Sequence, residues 1–195
     1  MALAHTSRAS ARDEIETKDW IAAGLAELAH GGVDAVRVEV LATRLGVTKG
    51  GFYRRFKDRP ALLDAILQTW KSGRIAAITR QAESGGEIAM ERLHGLIRIY
   101  TERSSTQGIA IELAIRQWAR TDKTAAAAAA GVDAVRLKIV VGLYRELGLA
   151  PAEAEARAVM LYSFLFGQSL LFMDETARKR ASLIAACART LMNIE

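Results

Sequence analysis

Apolar residues recur at helical spacing from Ile15 through Trp20, Ala23 and Leu25 to Leu28, and Gly31-Gly32 closes the run. Acidic residues crowd the first turns, so a helix is predicted over residues 12–32. The next pattern is shorter: Val40, Leu41 and Leu45 face inward on a helix from Val38 to Leu45. Gly46 follows, where a positive φ can turn the chain sharply. Thr48 then serves as the N-cap of a helix over 48–56. Two short helices about a glycine-centred turn are a helix-turn-helix, here spanning about 37–56. Ala42 is small where the two helices cross, while Leu41, Leu45, Val47, Phe52 and Phe56 pack the unit onto the first helix. Thr43, Thr48, Lys49, Tyr53 and Arg55 are left on the outer side.

Beyond this unit the period stays helical. Pro60 opens a helix that runs to about Gln81, and its missing N–H does no harm in a first turn. After a break at "SGGE", residues 87–104 are amphipathic, with Ile88, Leu93, Leu96, Ile97 and Tyr100 on one stripe. A second break is predicted near Thr106-Gln107-Gly108, before "IAIELAIRQWART". The six alanines at 125–130 read as helix rather than linker, because alanine is the best helix former. Gly148 ends that helix, Pro151 starts another that should reach about Glu175, and a last one spans about Thr176 to Met192. No strand alternation is sustained and no internal repeat occurs, so the chain is predicted to be all-α.

One stretch needs cover on every side. From Val159 to Met173 the residues Met160, Leu161, Phe164, Leu165, Phe166, Leu170, Leu171 and Phe172 nearly encircle the helix. The uncharged run over 158–173 is shorter than the roughly 18 apolar residues of a membrane span. Ser163, Gly167, Gln168 and Ser169 interrupt it. One side is expected to pack into its own body. The other is expected to meet the same helix of a second chain, with the last helix alongside, giving a homodimer.

Composition narrows the function. Hydrophobic residues make up 51% and charged residues 25%, an ordinary globular balance. Cys187 is the one cysteine, which excludes an internal disulfide and favours a reducing, cytoplasmic setting. The first residues lack the apolar core of a secretory signal. His5, His30 and His94 have no metal-ligand spacing, and no nucleophile elbow or phosphate-cradling loop occurs, so neither an enzyme nor a metal or cofactor is expected. Cys187 shares a helical stripe with Leu183 and Leu191 and reads as packing. The net charge is +5. Between Arg44 and Arg59 six cations (Arg44, Lys49, Arg54, Arg55, Lys57, Arg59) face Asp58 alone, a surplus of five. That block points to a polyanionic partner.

Gly50 and Gly51 stand inside the basic helix, although each glycine costs roughly 1 kcal/mol against alanine. Either they let the helix approach DNA closely, or they relieve crowding between the two short helices. "VEVLATRLGVTKGGFYRRFKDRPALLDAIL" resembles the DNA-binding domain of the TetR family of transcriptional repressors. The family pattern is a small-residue helix, Leu-Gly-Val, Ser/Thr-Lys-Gly, aromatic Tyr, aromatic Phe, then Ala-Leu-Leu. "IRQWARTD" and "LYRELGLAPAEAEARA" resemble one branch of the family's bodies.

The resemblance implies a helix-turn-helix domain over 12–59 and an effector-binding, dimer-forming body over 60–195. It places Thr43, Thr48, Lys49, Gly50, Gly51, Tyr53, Arg55, Lys57 and Arg59 at double-stranded operator DNA. Thr48, Tyr53 and Arg55 would meet phosphates, the last where the family often has histidine. Lys49 and Gly51 would lie at the major groove, with Lys49 able to read a guanine edge. Gly51 replaces a frequent threonine, so one contact is absent. The implied function is a dimeric repressor on a palindromic operator, released by a small hydrophobic ligand. His94, Ile97, Tyr100, Leu113, Trp118, Tyr144 and Phe164 are the candidate lining, each of them also readable as core. The alternative is a constitutive DNA-binding regulator with no effector.

Overall fold

The computed structural model describes residues 15–84, 86, 88–102, 106–172 and 174–192, without the side chains of 84, 99–102, 106 and 177. Among the described residues there are nine α-helices, one 3-10 turn and no strand. They are α1 (Thr17–Gly31), the 3-10 turn Val33–Ala35, α2 (Val38–Leu45), α3 (Lys49–Tyr53) and α4 (Arg59–Ser84). The body continues with α5 (Ala89–Glu102), α6 (Thr106–Trp118), α7 (Lys123–Glu146), α8 (Pro151–Gly167) and α9 (Ala177–Met192). No helix among these residues is long and apolar enough to cross a membrane.

Side chains mark several of the starts. Glu16 and Asp19 form a reciprocal capping box on α1, the Asp19 carboxylate accepting from the Glu16 N–H at 2.7 Å. Asp58 accepts from the Ala61 N–H at 2.9 Å to cap α4, and Asp122 accepts from the Ala125 N–H at 2.8 Å to cap α7. Thr48 occupies the N-cap position of α3 with extended backbone, but its hydroxyl makes no capping bond. Gly46, at φ 68°, supplies the left-handed turn between α2 and α3.

The chain divides into two compact units. One comprises the residues up to Gly73 with Thr106–Ala130, the other Arg74–Ser105 with Gly131–Glu195. In the first unit α1 is central, with Trp20 and Leu28 fully covered. Phe52 sits edge-on to Trp20 at 5.4 Å and stacks on Phe56 at 5.5 Å. Each such buried side chain contributes on the order of 1.5–3 kcal/mol. Helix α6 lies against α1 and the 3-10 turn, burying Ile115 and Trp118. In the second unit α5, α8 and α9 pack on one another. Their core joins Leu93, Leu96, Ile97, Val140, Leu143, Tyr144, Leu161, Leu165 and Met192.

Five boundaries differ from the sequence reading, the first being the start of α1, which lies at Thr17 behind the Glu16 cap and leaves Ile15 outside the helix. Helix α3 ends at Tyr53 instead of Phe56, because the Arg55 and Phe56 N–H groups both turn back to the Phe52 carbonyl and Phe56 drops into the core. Helix α4 continues past Gln81 to Ser84. Thr106, Gln107 and Gly108 form the first turn of α6 and not a break. Helix α8 stops at Gly167, well short of Glu175. The Ser169 hydroxyl donates to the Phe166 carbonyl at 2.5 Å, and Arg180 donates to the Gln168 carbonyl at 2.8 Å, closing the helix end. Leu170, Leu171 and Phe172 therefore follow the helix and are exposed, so they do not belong to its apolar girdle. Cys187 is exposed on α9 beside exposed Leu183, against the expectation that both pack inside.

Candidate nucleic-acid interface

Helix α3 is amphipathic in one turn. Phe52 points inward and is fully buried, while Thr48, Lys49, Gly50 and Tyr53 are exposed, as are Thr43 on α2 and Arg55 and Lys57 after α3. Tyr53 keeps 60% of its surface open, its ring edge-on to Phe52 at 5.2 Å. The ring is thus braced on one side and largely open to solvent. Exposed cations and hydroxyls over a buried aromatic floor are the chemistry of phosphate contact.

The two glycines separate. A methyl added at Gly50 would meet only the Thr48 hydroxyl, at 3.6 Å. At Gly51 it would point to Trp20 and Val47, both at 3.8 Å, an ordinary contact distance. Neither position is crowded within the fold. Gly51 faces the interior of the head, the group of α1, α2 and α3, whereas Gly50 lies on the exposed side. Gly24 on α1 is crowded by contrast, because an added methyl there would fall 2.5 Å from Ile66 Cδ1 on α4. That crowding is invisible in the sequence, because only the helix crossing reveals it.

Several charges of the basic block are already engaged. Arg44 donates to Glu27 of α1 at 2.6 Å, and the Lys49 ammonium lies 2.6 Å from the Glu39 carboxylate of α2. That hydrogen bond from Lys49 holds the Glu39 carboxyl below its ordinary pKa range. Arg59 is half-buried and donates to the carbonyls of Val36 at 2.6 Å and Val33 at 2.5 Å, tying the start of α4 to the 3-10 turn. The Thr43 hydroxyl donates to the Glu39 carbonyl at 2.9 Å, one turn back along α2. Glu27 and Glu39 lie outside the 44–59 window, so a running charge count misses both.

The candidate effector residues fall in both units. Ile97, Tyr144 and Phe164 join one apolar cluster in the second unit. Leu113 and Trp118 belong to the first unit. His94 is exposed, and the side chain of Tyr100 lies outside the described residues. Tyr144 is fully buried, and its hydroxyl has no hydrogen-bond partner among the described residues. Burial raises its pKa above the ordinary phenol value. Among the described residues no cluster of His, Cys, Asp and Glu is arranged to hold a metal ion.

Comparison with known proteins agrees with this geometry. Residues 21–66 match the family model of bacterial regulatory proteins, tetR family. No curated protein matches the sequence. Among solved structures, a transcriptional regulator of the TetR family from Agrobacterium tumefaciens superposes with a TM-score of 0.72 at 13% identity, over 90% of this chain and 95% of its own. A transcriptional regulator from Rhodococcus sp. Rha1 gives 0.73 at 16% identity, over 91% and 94%. The transcriptional regulator FadR from Bacillus subtilis, in complex with stearoyl-CoA, gives 0.66 at 16% identity, over 92% and 100%. At these identities the superpositions establish the fold alone. The segment that matches this family model contains the helix-turn-helix, whose outer face is charged and open.

Proposed function

We propose that the protein is a repressor that binds a palindromic operator as a homodimer in the cytoplasm and is released by a small hydrophobic ligand. The observation that carries the DNA part is the exposed set Thr48, Lys49, Tyr53, Arg55 and Lys57 around a buried Phe52. Lys49, Tyr53, Arg55 and Lys57 contribute mainly through phosphates, and Gly50 lets the helix backbone come close. Arg59 acts from behind, by holding the 3-10 turn against α4.

Tyr144 favours an effector over the constitutive alternative. A buried hydroxyl without a partner costs on the order of 1–3 kcal/mol. A ligand carrying an acceptor would relieve that cost inside an otherwise apolar cluster that includes Ile97 and Phe164. The Bacillus subtilis neighbour was solved with stearoyl-CoA, and the acyl chain of that molecule is of the apolar kind proposed here. The ligand lowers DNA affinity only by the difference in its own affinity for the two states, typically 1–3 kcal/mol.

Selecting bound duplexes from a random DNA pool tests the first half. Enrichment of an inverted repeat supports the reading, and enrichment of single, non-repeated sites contradicts it. Screening acyl and aromatic compounds by Trp70 and Trp118 fluorescence, with and without the selected operator, tests the second. Ligands that bind without changing operator affinity would leave a constitutive regulator.

A further inference from the structure

Lys49 is the first residue of α3, and its ammonium is held 2.6 Å from the carboxylate of Glu39 on α2. Both side chains are more than half exposed, 57% for Lys49 and 60% for Glu39. Exposed ion pairs contribute little to folding, so stability gives no strong reason for this one. Its position gives a better one. Among the described residues Glu39 is the carboxylate paired to Lys49, the one cation of α3, and it lies on the outward side of α2 together with Thr43. A carboxylate at a surface that meets DNA opposes every phosphate equally, whatever the sequence. A lysine already satisfied by it gains less from a phosphate than a solvated one would.

We infer that Glu39 is a specificity-determining residue, which restrains Lys49 and so lowers the affinity of the head for arbitrary duplex DNA. This rests on the reading that Lys49 faces DNA. Lys49 gives up Glu39 where a base edge offers acceptors in fixed places, and a lone phosphate is a poorer exchange. The discrimination comes from weakening the wrong complexes, a repulsive element and not an added contact. Replacing the carboxylate by an amide frees Lys49 to neutralise one more phosphate. The slope of log affinity against log salt should then steepen by about 0.9.

Fluorescence anisotropy with the full chain and a random-sequence duplex, titrated over a salt series, tests this without knowledge of the operator. Wild type, Glu39→Gln, Lys49→Ala and the double variant are compared, with thermal melts to confirm that each is folded. Glu39→Gln should bind severalfold more tightly at low salt with the steeper slope, and the gain should vanish in the Lys49→Ala background. Tighter binding that survives in the double variant would mean a general field effect and would overturn the restraint of Lys49. Unchanged or weaker binding by Glu39→Gln, while Lys49→Ala weakens binding, overturns the inference and leaves Lys49 as a DNA contact. If Lys49→Ala itself binds like wild type, the placement of Lys49 at DNA fails and the inference falls with it.

Discussion

A methyl group at Gly50 would lie in open space apart from the Thr48 hydroxyl, so the fold has no use for a glycine there. Gly50→Ala should leave the melting temperature unchanged or raise it, by at most about 1 kcal/mol of stability. If the α3 backbone approaches DNA closely, the same change weakens DNA binding. A variant that gained stability and kept full affinity would show that the glycine is incidental. Gly24→Ala is the opposite case. Its methyl would meet fully buried Ile66, and overpacking of that kind typically costs about 1–3 kcal/mol. Tyr144 adds a pH signature. Its folded pKa is raised by burial, while the unfolded phenol titrates near 10. Its contribution to stability is therefore complete below about pH 10 and is lost as pH rises through the folded value, because only the unfolded chain readily releases the proton. Tyr144→Phe should flatten this alkaline loss, measured by denaturant midpoints from neutral pH to about pH 11. Equal alkaline slopes in the two proteins would show that Tyr144 does not carry the effect.

Among the elements, α4 starts on a single side chain. Asp58 caps it through the Ala61 N–H, and Arg59 beside it clasps the carbonyls of Val33 and Val36. Asp58→Ala should cost about 1 kcal/mol, read as a lowered denaturant midpoint, and Asp58→Asn should recover most of it. No recovery would place the effect in charge and not in capping. The sequence showed Asp58 only as the lone acid of a basic block. Such cases mark where reading from pattern stops. The spans of α2, α7 and α9 were legible because periodicity, alanine propensity and glycine or proline punctuation all agreed there. The end of α8 was not, because it depends on Arg180 reaching back from α9 to the Gln168 carbonyl, a contact between distant residues. In the interface, the exposed residues on and around α3 were legible from helical phase. The pairs Arg44–Glu27 and Lys49–Glu39 were not, because each carboxylate arrives from another helix.

At the scale of the whole molecule, the uncovered apolar surface is what supports the proposed homodimer. Helix α8 exposes Ala152, Ala156, Val159, Met160 and Ser163, and α9 exposes Leu183, Cys187 and Thr190. Val159, Met160 and Leu183 keep 53%, 50% and 43% of their surface open within one chain. The residues between them along α8, Ala158, Leu161, Tyr162 and Leu165, are buried in the second unit. The helix thus has one satisfied face and one that water meets. Helices with small residues at regular spacing can approach closely, so a two-fold pairing of α8 and α9 with their copies would cover this surface with one self-complementary patch. On the proposed reading, two α3 helices would meet successive major grooves about 34 Å apart, which is why an inverted repeat is the expected site. Light scattering should give about twice the 21.2 kDa chain mass at micromolar concentration. Val159→Glu with Met160→Glu should reduce it to one chain, because carboxylates brought together across a two-fold axis repel in a partly desolvated interface. The same variant should lose affinity for an inverted repeat by about 100-fold or more, the linkage between two binding heads being gone. Its affinity for an isolated half-site should stay close to wild type, since the head is untouched. A wild-type monomer, or a double variant that remains dimeric, would mean that this face is not where two chains meet.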